Sequence, residues 1–256
     1  MKMFAAIVAS MMFFLSACND KENGVVSPRE LFNTMLQTGS INAGDVDCFF
    51  KISSMIYCNE FDNVSKSNFA WAYISNGITY LKLSDVKCNG EQMEDISGGF
   101  GGQYQYALID DYLHLIDWEI NNYIGANYNK TDTNYPEIVV TNIGFGDTLS
   151  KSSGININYT GYTGGNSIIE VYINMWEQDI ITGMIKEYKA KHIASDDGNI
   201  YITPMQLNGF STISSNPNAW VTIQLYRTKF EVEDFNGKMF VKQYETLYFN
   251  HFVLAD

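Results

Sequence analysis

The sequence is poor in basic residues and in residues that bind metals. It contains 16 Lys and Arg against 29 Asp and Glu, so its formal net charge at pH 7 is −13. A nucleic-acid-binding protein needs a basic stripe to neutralise phosphates, and none is present here. The three His and four Cys residues match no common zinc-ligand spacing. We therefore expect no nucleic-acid partner, no metal and no cofactor.

Motifs of the common catalytic machineries are also missing. The glycine-rich segments 97–103 and 161–165 contain no Gly-Lys-Ser/Thr step, so neither predicts a phosphate-binding loop. No G-x-S-x-G elbow occurs, and none of His114, His192 and His251 belongs to an evident nucleophile motif. These absences favour a binding function over an enzymatic one.

Only one apolar run is long, and it lies at the N-terminus. Met3 to Leu15 is apolar apart from Ser10 and follows Lys2. It is too short to span a bilayer, which takes roughly 20 apolar residues as a helix. Its length is typical of the hydrophobic region of a signal peptide. The residues that follow are Leu-Ser-Ala-Cys, ending at Cys18, and they resemble the lipobox of bacterial lipoproteins.

This resemblance covers residues 1 to about 20 and implies how the chain is processed. In that family the chain is cut before the Cys, whose thiol and new amino group are acylated. Residues 1–17 would then be a signal peptide, Cys18 the palmitate-bearing anchor, and residues 18–26 a polar tether. Asn19, rather than Asp, follows Cys18, which by the same resemblance favours the outer membrane. We expect a lipid-anchored cell-envelope protein, and the sequence is consistent with either the periplasmic or the outer face of the membrane.

An exported protein works where disulfides persist. Lipidation of Cys18 leaves three Cys residues, so one disulfide and one thiol are expected. The preferred pair is Cys58 with Cys88, and the alternative is Cys48 with Cys58.

Residue periodicity predicts a mainly β protein, an antiparallel sandwich or barrel with one short N-terminal helix. The helix begins at a capping box, Ser27 to Glu30, and ends near Gly39. From residue 45 onward the period changes to two. Residues 27–256 form a β-rich domain, either one unit or two β units divided near 146–167, where Gly, Ser, Asn and Thr are abundant.

Turn signals between these strands predict four hairpins. The turns are Asn76-Gly77, Asp110-Asp111, Asp197-Gly198 and Asn236-Gly237. The first places Trp71 opposite Lys82, and the last places Glu231 opposite Lys242. Residues 168–191 are predicted as strand, with a helix as the alternative.

The candidate site residues are few. Asp117 and Glu119 alternate in a predicted strand, and two carboxylates can divide into acid and base for glycoside hydrolysis. The surrounding LIDWE resembles the end of the catalytic strand of glycoside hydrolase family eighteen. However, Tyr112 and Leu115 stand where that family needs Asp, and the helices of its barrel are missing, so the match is rejected.

Exposed aromatic residues give rigid contact area for proteins or sugars. Trp71, Tyr73 and Tyr80 are therefore a candidate binding patch. The favoured function is a non-enzymatic envelope lipoprotein that binds a protein or glycan, one version being an inhibitor or immunity protein that neutralises a basic toxin. The alternatives are a carbohydrate-active enzyme that uses carboxylates in 91–119, and a carbohydrate-binding module.

Overall fold

The computed structural model describes residues 46–58, 64–74, 81, 83–95, 105–109, 114–165, 167–178, 185–216 and 220–256. The predicted signal peptide, tether and N-terminal helix lie outside these residues, as does Tyr80. Within them the chain is mainly β, as predicted, and contains no helix that could serve as a membrane span. The described residues form sixteen strands: β1 (Val46–Cys58), β2 (Val64–Ile74), β3 (Val86–Cys88), β4 (Glu91–Gln92), β5 (Glu94–Asp95), β6 (Gln105–Ile109), β7 (Leu115–Tyr123), β8 (Ala126–Thr133), β9 (Val139–Val140), β10 (Asp147–Ser150), β11 (Ile155–Thr160), β12 (Ile168–Gln178), β13 (Ile185–Ser195), β14 (Asn199–Ile202), β15 (Trp220–Phe235) and β16 (Lys238–Ala255).

The strands form a sandwich in which two small sheets cover one large sheet. The large sheet has nine strands in the order β13-β12-β15-β16-β1-β2-β6-β5, with β10 also paired to β16. The small sheets have the orders β4-β3-β7-β8 and β14-β11-β9. Alternation along each strand sends every second side chain to the same face, so one face of the large sheet packs against both small sheets.

Two hydrophobic clusters lie between the layers. Under the four-stranded sheet, Phe50 and Phe240 of the large sheet pack on Trp118 and Tyr128, with ring centroids 4.8–5.9 Å apart. Under the three-stranded sheet, the second cluster consists mainly of aliphatic residues from β11, β12, β14, β15 and the end of β16. Strand β16 contributes to both clusters, so it connects the two halves of the sandwich.

A row of buried polar residues crosses the large sheet between the two clusters. Arg227, Thr246, Ser54 and Asn68 lie opposite one another on neighbouring strands. Above them, residues 134–138, which belong to no strand, connect the two small sheets. Asn134 Nδ2 donates to Ser54 Oγ at 3.3 Å, and Arg227 Nη1 donates to the Pro136 carbonyl at 2.7 Å. The row therefore supplies hydrogen-bond partners to the Asn134 side chain and to the Pro136 carbonyl.

The C-terminal hairpin is confirmed. β15 and β16 pair antiparallel from Trp220 to Val253, and Glu231 lies opposite Lys242 as predicted. The turn residues Asn236 and Gly237 have φ of 55° and 74°, the left-handed conformation that an Asn-Gly turn adopts. The prediction of strand rather than helix over residues 168–191 is also correct for their described part, where Ile168–Gln178 form β12 and β13 begins at Ile185.

Three other predicted pairings are wrong. The strands β6 and β7 belong to different sheets, and so do β13 and β14, so neither pair forms a hairpin. Trp71 lies between Lys51 of β1 and Tyr106 of β6, and both of its neighbouring positions are therefore occupied by residues other than Lys82. In each case a strand pairs across the sheet with a distant segment of the chain.

Neither predicted disulfide forms, because the Cys residues are not at disulfide distance. Cys48 and Cys58 lie near opposite ends of β1, ten residues and roughly 33 Å apart at about 3.3 Å per residue. A disulfide needs Cα atoms about 4.4–6.8 Å apart. Cys88 lies in β3, in the other layer, and is buried with Cys48 in the aromatic cluster. Burial raises the pKa of the Cys88 thiol to about 12, and the charge of Asp117 adds to the effect.

Candidate functional site

Asp117 and Glu119 lie on the outer face of the four-stranded sheet. They alternate along β7 with the buried residues Ile116, Trp118 and Ile120. Asp117 is exposed and accepts a hydrogen bond from Thr131 Oγ1 at 2.6 Å. Glu119 is half-buried, between Lys87 and Asn129 on the neighbouring strands. The two carboxylates therefore share one face, as the alternation predicted.

Trp71 and Tyr73 lie together on β2, on the face of the large sheet that points away from the small sheets. Both side chains are half-buried. Lys51 Nζ lies 5.6 Å from the centroid of the Trp71 ring, within the range of a cation–π contact. The third predicted member of this patch, Tyr80, lies outside the described residues.

A cluster of six charged residues lies where β8 packs on β15 and β16. Lys242, which is 1% exposed, contacts Asp132 at 2.9 Å and Glu233 at 3.0 Å. Burial raises the pKa of Tyr244, and its hydroxyl donates to Asp132. The six residues balance as three cations and three anions: Lys130, Lys229 and Lys242 with Asp132, Glu231 and Glu233. This balance indicates a structural role, because a buried charge is tolerated when it is paired.

A second buried ion pair joins β15 to the end of β13. Arg227 and Asp196 are both 0% exposed, and the guanidinium contacts the two carboxylate oxygens at 2.8 and 3.0 Å. Asp196 also accepts hydrogen bonds from the Tyr159 hydroxyl, the Ser167 hydroxyl and the Thr163 amide at 2.7–3.0 Å. Burial alone would raise the pKa of Asp196, but the hydrogen bonds from Arg227 and Ser167 outweigh it and hold the pKa below its usual value.

The Asp196 carboxylate also positions a surface. Tyr159 is the buried end of β11, and Thr163 and Ser167 belong to the segment that follows β11. The pair thus fixes β11 and the segment after it from below. The surface above consists of outward-facing residues of the three-stranded sheet and its flanks, and we call it the tyrosine–asparagine face: Thr141, Asn142, Asn156, Asn158, Thr160, Tyr162, Asn199 and Tyr201.

The Asn side chains of this face hold one another in place. Asn199 Nδ2 donates to Oδ1 of Asn156 at 2.8 Å and to Oδ1 of Asn158 at 2.6 Å. Asn142 donates through Nδ2 to the Asn156 carbonyl and accepts from the Asn158 amide, both at 2.8 Å. The Asn142 carboxamide thus pairs with the backbone of β11 as a peptide group of a neighbouring strand would. The amides are therefore pre-oriented before any ligand arrives.

Two tyrosine rings flank the amides, and each rests against a glycine. Tyr162 is 52% exposed and Tyr201 is 48% exposed. A Cβ built on Gly198 would lie 2.7 Å from Tyr162 Cδ1, and one on Gly154 would lie 2.9 Å from Tyr201 Cζ. Only glycine therefore allows the rings to lie so close to the backbone. The Tyr201 hydroxyl also donates to the Ser153 carbonyl at 2.8 Å, which fixes that ring.

Sequence reasoning did not identify this face. Residues 146–167 were predicted only as a place where two β units could divide, yet they supply β10, β11 and Tyr162. The available signal is the alternation in ININYT, where Ile155, Ile157 and Tyr159 are buried and the residues between them face outward. No protein-family model and no curated protein matches the chain.

Proposed function

We propose that this protein is a cell-envelope lipoprotein, anchored through acylated Cys18, whose β domain acts by binding rather than by catalysis. The anchor is supported by the lipobox-like Leu-Ser-Ala-Cys segment. The observation that carries the binding function is the tyrosine–asparagine face, which combines two half-exposed rings with amides already fixed by hydrogen bonds. A surface prepared in this way loses little conformational entropy when it binds a ligand.

Binding is favoured over hydrolysis by the state of the acidic residues. The interior carboxylates of Asp132, Asp196 and Glu233 are engaged by Lys or Arg. Asp117 is engaged by Thr131 on the outer face of a sheet. In each of these arrangements the carboxylate is occupied by a cation or a hydroxyl, whereas glycoside hydrolysis needs two carboxyl groups that flank the substrate.

The anchor is tested by following acylation in cells. The wild-type chain should incorporate an alkyne-labelled palmitate, start at Cys18 by mass spectrometry, and sediment with outer-membrane vesicles. Cys18→Ser should remain unlabelled and keep residues 1–17. An unmodified thiol at Cys18 in the wild type would refute the lipoprotein assignment.

The binding function is tested with the full-length chain in detergent. Immobilised protein should retain a component of solubilised envelopes, and the mass of that component should be unchanged after elution. Repeated recovery of no component would refute the proposal. Release of sugar products that stops in Asp117→Asn or Glu119→Gln would replace it with the enzyme alternative.

A further inference from the structure

We infer that the tyrosine–asparagine face binds a neutral, linear oligosaccharide. This inference rests on the proposed binding function and adds the chemical class of the ligand.

The strands that form the tyrosine–asparagine face carry no charge. The strands β11 and β14 contain no charged residue, although the whole chain has a net charge of −13. An anionic polymer would find no Lys or Arg on this surface to contact its charges. A basic partner would find the Asp197 carboxylate at the tip, where Oδ1 accepts from the Asn199 backbone amide at 3.2 Å. The face therefore matches a ligand that is polar but uncharged.

The rings and amides provide the two kinds of contact that a sugar offers. One side of a pyranose ring presents C–H groups, which pack on the negative face of an aromatic ring. Its hydroxyl groups both donate and accept hydrogen bonds. Asn158 Nδ2 and Asn199 Oδ1 make no hydrogen bond within the described part of the chain. One donor group and one acceptor are thus available between the two rings.

The dimensions of the face decide between a sugar chain and a protein. Tyr162 packs on Gly198, which precedes Tyr201 by three residues. At about 3.3 Å per residue along a strand, these two positions are about 10 Å apart, and this sets the separation of the two tyrosine rings. A single sugar could cover only one ring, so a chain of several sugars is needed to contact both. A standard protein interface uses about 20–30 residues a side, whereas eight form this face. An extended oligosaccharide is the better fit.

The test is a binding titration with the full-length protein in a detergent that has no sugar headgroup. The probes are linear hexasaccharides of β-1,4-glucose, α-1,4-glucose, β-1,4-mannose and β-1,4-N-acetylglucosamine, with polygalacturonate as the anionic comparison. At least one neutral hexasaccharide should bind, and its monosaccharide should bind far more weakly. Tyr162→Ala and Tyr201→Ala should each weaken binding about tenfold, and the double variant about a hundredfold.

Matched variants separate ring contact from general effects. Tyr162→Phe keeps the ring and should retain most of the affinity. Trp176→Ala removes an aromatic side chain that is 50% exposed on the large sheet and should leave the affinity unchanged. Melting temperatures of all variants confirm that they are folded.

Two results would overturn the inference: no binding of any neutral hexasaccharide, or binding that survives in the double tyrosine variant. Recovery of an envelope protein together with no oligosaccharide binding would refute this inference and leave the proposed binding function standing. Recovery of neither would refute both.

Discussion

The Arg227–Asp196 pair gives the sharpest test of how this sandwich is held together. Asp196→Asn keeps the shape of the side chain but removes its charge. The two oxygens of Asp196 accept four hydrogen bonds, one of them from Arg227 Nη2, and the guanidinium Nε lies 2.8 Å from Oδ2 as an ion pair. In the variant, the side-chain NH2 group of Asn replaces one carboxylate oxygen and faces hydrogen-bond donors, while the Arg227 guanidinium stays charged and buried.

The expected cost follows from this burial. Breaking a fully buried ion pair by removing one partner costs about 3–5 kcal/mol, because the remaining charge is uncompensated. For a chain of this size, 1 kcal/mol lowers the melting temperature by about 2–4 °C. Asp196→Asn should therefore lower it by about 6–20 °C. Scanning calorimetry and urea unfolding of the full-length protein measure the change.

Glu187→Gln is the matched control, since it makes the same carboxylate-to-amide change at the surface. Glu187 contacts Lys189 at 3.0 Å, and the two side chains are 38% and 43% exposed. An exposed pair of this kind contributes about 0–1 kcal/mol. If Asp196→Asn destabilises the protein no more than Glu187→Gln does, the buried pair does not hold the layers together and the reasoning is wrong.

Three further predictions concern the same structure. Gly161→Ala should lower the melting temperature well below that of Gly164→Ala, because a Cβ at Gly161 would lie 1.8 Å from the Glu137 carbonyl oxygen while the one at Gly164 meets nothing within 4 Å; equal melting temperatures would contradict this. The free energy of unfolding should fall on acidification below about pH 4, because the pKa values of Asp196 and Glu233 are lower in the folded state than in the unfolded state. The stability that these two carboxylates contribute is present above their unfolded pKa values and is lost as the pH falls through their folded pKa values. A urea midpoint that stays constant from pH 6 to pH 3 would contradict this. Cys88 should resist iodoacetamide at pH 8 in the folded protein and react after unfolding, because burial keeps its thiol protonated; peptide mass spectrometry measures this, and rapid native labelling would refute it.

Local chemistry predicted those parts of the fold that depend on neighbours in the sequence. The C-terminal hairpin was correct because an Asn-Gly turn and the facing charges of Glu231 and Lys242 specify its register together. The mainly β class followed from alternation along the chain.

The predicted hairpins of β6 with β7 and of β13 with β14 were wrong for a non-local reason. In each pair, one strand belongs to the large sheet and the next to a small sheet. A turn signal indicates where the chain bends, but the strand's layer depends on which distant segment covers its apolar face. The tyrosine–asparagine face was missed for the same reason, since alternation in β11 shows that one side is buried but not whether the other is covered.

The two buried ion pairs explain how the covering layer keeps its alignment. The hydrophobic effect between sheets is non-directional, so burial alone specifies the alignment of the small sheets on the large one only weakly. Lys242 with Asp132 fixes the four-stranded sheet, through β8, to β16. Arg227 fixes the other small sheet in two places, through Asp196, which binds Tyr159 of β11, and through the Pro136 carbonyl just before β9. These directional contacts are satisfied in one register only. We therefore expect the ion pairs to contribute specificity more than net stability, with the Arg227 contacts setting the position at which β11 presents Asn156 and Asn158 to the solvent.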